Sequence, residues 1–157
     1  MSNRQADTLR LDALASDRAG QAYLTLKPAR LAAKKIKKLH EGDLLDGLDP
    51  LHLRIIRDGQ ILARAKLGQI GGREAVHIVD TDPEPIDDTV LPKYVRIDVR
   101  LRLLTSSDDL AVGDVLEHDD PLSRSVVILA DNAPLAIGEM VDYDGEAMIR
   151  VMRILHG

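Results

Sequence analysis

The five histidines, His40, His52, His77, His118 and His156, are the side chains best suited to act as bases or metal ligands near neutral pH. None has a second histidine four residues on, and no His-Glu-x-x-His occurs, so the helical zinc pattern is missing. His77 stands between Val76 and Ile78, and that alternation points it outward from a strand. Asp80, Asp82 and Glu84 imitate the start of a calcium loop. Such a loop would then require Gly and Glu where the chain has Pro85 and Leu91. Gly68, Gly71 and Gly72 open no helix and have no acidic residue in the register of a dinucleotide site, so they fit a turn between two strands. There is no phosphate-binding P-loop, no Gly-x-Ser-x-Gly elbow, and no nucleophile beside an evident base. Cysteine is absent, which removes disulfides and thiolate metal sites. The expectation is a chain without catalytic residues, metal or cofactor.

The remaining charged feature is basic. Arg30, Lys34, Lys35, Lys37 and Lys38 crowd one candidate helix, and a nucleic-acid or small-ligand-binding β module using Arg30–Lys38 is the alternative function. Against nucleic acid stand the formal net charge of −5 and the absence of nearby aromatic side chains to stack on bases. A solvated helix face is the better reading. Charge is unevenly spread: residues 1–79 carry 14 Lys/Arg against 9 Asp/Glu, and residues 80–157 carry 7 against 17. The two halves can therefore attract each other or steer different partners. No apolar run approaches the ~20 residues that cross a bilayer, and the N-terminus lacks the apolar stretch of a secretory signal. A cytoplasmic protein without membrane insertion is expected.

The elements that position these residues are legible through a repeat. Shifting the sequence by 71 places Tyr23 on Tyr94, Gly42-Asp43 on Gly113-Asp114, and Asp49-Pro50-Leu51 on Asp120-Pro121-Leu122. A two-residue insertion follows Pro121. The shift is 73 from there on, placing Asp58-Gly59 on Asp131-Asn132 and Leu62-Ala63 on Leu135-Ala136. The shared residues are ones that fix backbone shape: Asp-Gly and Asp-Asn between apolar runs predict hairpin turns, and Asp-Pro predicts another turn. Each copy reads as an extended segment (Tyr23–Leu26; Val95–Leu103, strictly alternating), then a helical turn, clearest over Ala29–Leu39. A strand after the Gly follows (43–46; 114–117), then a hairpin and a last strand near 74–79 or 146–154. Residues 1–21 form an N-terminal extension in which Leu9, Leu11 and Leu14 allow a short helix, and residues 81–92 form an acidic, proline-containing, solvated linker. There is no Phe or Trp and only three Tyr, so the core is aliphatic. A copy of ~60 residues is marginal alone, which predicts that the two pack on each other.

Copy two carries Leu110-Ala-Val-Gly-Asp-Val-Leu116, Val126-Val-Ile-Leu-Ala-Asp-Asn132, Leu135-Ala-Ile-Gly-Glu-Met-Val141 and Ile149-Arg-Val-Met-Arg-Ile154. This series resembles the SpoA (surface presentation of antigens) domain of the flagellar motor-switch proteins FliN and FliM and of type III secretion C-ring, or sorting-platform, proteins. Copy one keeps Leu39-His-Glu-Gly-Asp-Leu-Leu45 and Leu62-Ala63 but has Arg64-Ala-Lys-Leu-Gly68 in place of the Ile-Gly-Glu-Met-Val series. The resemblance implies an all-β fold with short helices, two tandem SpoA-like modules (22–80 and 93–157) packed as an intertwined intramolecular pseudo-dimer. The larger secretion proteins have a further domain before the pair, so the sequence reads as a shortened product or as a member that acts as the pair alone. The resemblance further implies a non-enzymatic scaffold that docks an ATPase-regulator (stalk) protein and neighbouring C-ring subunits, with homo-oligomers allowed. Peripheral association with the inner membrane would come through the complex. The apolar pair after the Gly contributes to the family's partner surface, which carries over to Val115 and Leu116, and to Leu44 and Leu45.

Overall fold

The computed structural model describes residues 11–16, 18–45, 47–104, 110–117 and 125–155. The expected turn at Asp120-Pro121, and Leu9, Asp46, His118 and His156, lie outside them. Residues 11–15 are helical (α1) and Ala33–Lys37 form a second short helix (α2). The rest is antiparallel β-structure. The first part of the chain supplies β1 (Ala22–Leu26), β2 (Ala29–Ala32), β3 (Leu44–Leu45), β4 (His52–Arg57), β5 (Gln60–Ile70) and β6 (Arg73–Asp80). After β7 (Glu84–Pro85) come β8 (Tyr94–Leu104), β9 (Val115–Glu117), β10 (Val126–Ala130), β11 (Ala133–Tyr143) and β12 (Glu146–Ile154). They join in one sheet of order β3-β12-β11-β10-β8-β1-β4-β5-β6-β9, with β2 beside β8 and β7 beside β5. The all-β class with short helices is therefore the observed one.

Two sets of pairings recur under the sequence shift. Val76 faces Leu116 across β6 and β9, and Ile149 faces Leu45 across β12 and β3. The shared Gly-Asp explains these ends. Gly42 and Gly113 have φ of 92° and 93°, a left-handed conformation that a Cβ would strain. The Gly42 N–H donates to the Val151 carbonyl at 2.7 Å, and the Gly113 N–H to that of Ile78 at 2.9 Å. The following carboxylates close the turns, Asp43 accepting the His40 N–H at 2.8 Å and Asp114 the Ala111 N–H at 2.9 Å. Thus β3 extends the ladder of β12, and β9 that of β6. The hairpins expected at Asp58-Gly59 and Asp131-Asn132 are present, all four residues having positive φ, as the right-handed strand twist demands of a two-residue turn.

The centre of the sheet corrects one expectation. Residues 29–32 are not the start of a helix: they form β2, in register with β8 from Ala29 opposite Ile97 to Ala32 opposite Tyr94. β1 pairs with β8 from Arg100 to Leu104, with Tyr23 opposite Leu103. Pro28 separates β1 from β2 because it has no N–H to give a ladder and a fixed φ. The exposed edge of β8 outweighs the helix propensity of Ala-Arg-Leu-Ala, and only the lysine-rich Ala33–Lys37 is left helical. Arg30 is accordingly not on the basic helix.

One apolar cluster draws on both parts of the chain, Leu24, Leu26, Leu45, Ile55 and Val76 packing with Ile97, Val99, Leu101, Ile128 and Ile149. A second, smaller cluster lies where Leu14 of α1 packs with Tyr23, Val127 and Leu129. Arg100 is held there, its guanidinium donating to the Leu14 carbonyl at 2.9 Å and standing 4.4 Å from the Tyr23 ring centroid. Leu14 is fully buried. Leu14→Ala should lower the unfolding free energy by about 2–4 kcal/mol, the usual cost of such a cavity. The check is a lower denaturant midpoint at unchanged slope; no movement of the midpoint would make α1 dispensable.

The acidic segment after β6 is exposed over most of its length, yet it is tied to the sheet. Glu84–Pro85 pair with Gln60 and Ile61 as β7. Arg64 binds Asp80 at 3.5 Å, the Asp82 carbonyl at 3.2 Å and the Glu84 carboxylate. Arg30 reaches the Thr89 carbonyl at 2.7 Å and the Asp87 carboxylate at 3.7 Å. The carboxyl of Asp87 is held below its usual range, first by its hydrogen bonds with Thr89 and then by Arg30. The segment's carboxylates answer arginines that project from the sheet, an interaction the composition of the segment alone does not reveal.

Candidate partner-binding surface

The apolar pairs sit on the two outermost strands of the sheet. On β9, Val115 faces His77 and Leu116 faces Val76. Successive side chains of a strand point to opposite faces, and burial divides the pairs accordingly. Val115 is 38% exposed, whereas Leu116 is half-buried and packs against the main core. On β3, Leu45 is 1% exposed and Leu44 is half-buried. Leu45 and Leu116 are thus core residues first, and Val115 and Leu44 are the members able to meet another molecule.

The two ends differ in chemistry. Beside Val115, the turn residue Val112 is 65% exposed and Val79 on β6 is 45% exposed. The backbone bonds between Gly113 and Ile78 hold these segments together, so three valines share one end of the sheet. At the other end Met152, 45% exposed, stands where the first has Val79, but Leu44 faces Arg150, which is ion-paired with Glu139, and Glu41 stands where the first end has Val112. Val79 and Val112 were not among the residues picked from sequence. Val79 ends β6 and Val112 precedes the Gly-Asp turn, but no spacing within either segment places them beside Val115. His77, expected to point outward from its strand, is half-buried and lies over Gly68, where an added Cβ would meet its Nε2 at 2.9 Å. Gly68 is therefore a strand residue opposite Ala75, and only Gly71-Gly72 form the turn.

A groove of about 360 Å³ runs between residues 18–23, the β4–β5 turn and β8. Within it Arg96 binds Asp98 at 2.9 Å and Asn132, and the Tyr23 hydroxyl donates to the Ser16 carbonyl at 2.5 Å. Among the described residues no group of three or more His, Asp or Glu side chains is placed to hold a metal ion. Also among them, no helix is long and apolar enough to cross a membrane.

Residues 108–156 match the family model of the type III flagellar switch regulator (C-ring) FliN C-terminal domain. No curated protein matches the chain. The matched segment contains β9 with Val115 and Leu116, the β10–β11 hairpin and β12.

Proposed function

Because residues 108–156 match the family model of the type III flagellar switch regulator FliN C-terminal domain, we propose that the chain is a non-enzymatic, cytoplasmic scaffold subunit of a flagellar C-ring or a type III secretion sorting platform. The family match over the segment that carries the exposed valine edge is the observation behind this reading. In it, residues 22–80 and 93–157 are two SpoA-like modules that exchange their short strands β3 and β9, forming an intramolecular pseudo-dimer. The equivalent pairings Val76 to Leu116 and Ile149 to Leu45 support that arrangement. An ATPase-regulator or a neighbouring C-ring subunit docks on the apolar end around Val115, where burying Val112, Val115 and Val79 supplies the hydrophobic gain. The charged end around Arg150 and Glu139 discourages the same partner from binding there.

The direct experiment mixes the purified chain with the ATPase-regulator and with the larger C-ring protein of the same cell, and measures complex formation by size-exclusion chromatography. A stoichiometric complex with either is expected. Absence of a complex with both, together with salt-dependent retention on nucleic acid, would favour the Lys34–Lys38 helix as the working surface and overturn the scaffold reading.

A further inference from the structure

We propose that the cup formed by Lys27, Arg30, Arg54 and Arg96 on the sheet surface binds a phosphate group. The cup encloses about 180 Å³ where the β1–β2 junction, β4 and β8 meet, and the linker residue Asp87 forms one wall. Four cations thus line the cup with one carboxylate, and a second, Asp98, is paired with Arg96 beside it. Arg30 and Arg96 are partly engaged already, Arg30 with Asp87 and the Thr89 carbonyl, Arg96 with Asp98, Asn132 and the Asp87 carbonyl. Lys27 and Arg54 are not: neither side chain makes a hydrogen bond or ion pair with a described residue.

Arg54 is the informative member. It is half-buried on β4, directly opposite Arg64 of β5. Like charges directly opposite across a ladder are destabilising. The carboxylates of Asp80 and Glu84 are bonded to Arg64, leaving Arg54 only longer-range attraction from Glu84 and Asp98. Burial, and after it Arg64, pushes the Arg54 guanidinium below its ordinary value. The Arg54 guanidinium nitrogens reach solvent, and an anion bound to them offsets the repulsion from Arg64. With Asp87 and the Asp98 paired with Arg96 both counted, a formal surplus of two positive charges remains, which suits a multivalent oxyanion better than a single carboxylate, and the guanidinium fork matches phosphate oxygens. The volume is below the ~300 Å³ at which pockets begin to enclose drug-sized ligands, so the cup takes the phosphate group itself, either free or as the head of a phosphomonoester.

The test is calorimetric titration of the full chain with inorganic phosphate and, separately, with O-phosphoserine, ionic strength being matched with chloride. Saturable one-to-one binding is expected. Arg54→Gln should weaken it at least about tenfold, the loss of one charge-assisted contact, while its melt stays level or rises because repulsion from Arg64 is gone. Asp87→Asn removes the competing carboxylate and should tighten binding severalfold. Lys27→Gln, at an exposed position, should weaken binding and serves in place of Arg54→Gln if that variant fails to fold. Equal affinity for both probes assigns the cup to free phosphate, and much tighter phosphoserine binding assigns it to a phosphorylated ligand. No saturable heat with either probe overturns the proposal, and so does a folded Arg54→Gln or Lys27→Gln variant that binds like the parent chain.

Discussion

Expressed separately, residues 1–82 and 90–157 should each fail to give a cooperative melt, whereas the two fragments together should form a complex that melts in one transition. The expectation follows from where the apolar contacts lie. Leu45 belongs to the first fragment but pairs with β12, opposite Ile149 of the second. Leu116 belongs to the second and faces Val76 of the first. Each fragment alone would lose the strand that closes its outer ladder. The central ladder would be lost as well, because β2 pairs with Tyr94–Ile97 and β1 with Arg100–Leu104 of β8. Removing either fragment would expose Leu24, Leu26 and Leu31 or Ile97, Val99 and Leu101, all buried in the common cluster. Burial of each such side chain contributes roughly 1.5–3 kcal/mol, while a whole domain is stable by only about 5–15 kcal/mol. Losing half the cluster therefore removes more than the margin. Circular dichroism melts of each fragment and of the equimolar mixture are the check. Sharp, independent transitions from the isolated fragments would mean two autonomous domains and would sink the strand-exchange reading.

Where the sequence was legible, short-range backbone chemistry made it so. Asp58-Gly59 and Asp131-Asn132 specify their hairpins because both turn residues must take positive φ. The alternation of Val95, Ile97, Val99, Leu101 and Leu103 likewise locates β8. The errors fall where a distant partner decides. Ala29–Ala32 has helical composition but lies along the open edge of β8, and β-propensity is set more by such neighbours than by the residues themselves. That the acidic segment is tied down depends on Arg30 and Arg64, remote in sequence, and on Arg96 just beyond it, which its composition does not show. The candidate site was half legible. The motif identified the apolar pairs, and strand alternation required that one member of each be core, but which member faces outward depends on the register with β6 and β12. The contribution of Val79 and Val112 to the same end depends on that register too, so spacing within either segment does not show it.

Val115→Asp and Leu116→Asp should give opposite phenotypes although the residues are neighbours. Leu116 packs against the main core opposite Val76, which is itself fully buried. A carboxylate there has no cation beside it within β9 or at its register partner, and placing an unpaired charge among apolar side chains costs several kcal/mol. Much of the chain's stability would go, and the Leu116→Asp protein should be largely unfolded or should melt far below the parent. Val115 already meets solvent and faces the half-buried His77. An aspartate at that position keeps its hydration, and surface changes of this kind usually stay within about 0.5 kcal/mol, so the melt should hardly move. Its effect should appear in binding. With Val112 and Val79 beside it, Val115 lies in the apolar patch proposed to be covered by the partner, and a charge desolvated at the centre of such a contact typically costs 2 kcal/mol or more, a loss of roughly thirtyfold or greater in affinity. Leu44→Asp, at the corresponding position of the charged end, should leave that affinity unchanged. Thermal melts of the three variants beside their affinities for the ATPase-regulator or the larger C-ring protein decide the matter. If Val115→Asp unfolds the chain, the pair is plain core; if it folds and binds like the parent, the partner docks elsewhere; and if Leu44→Asp weakens binding as strongly, the two ends are used alike.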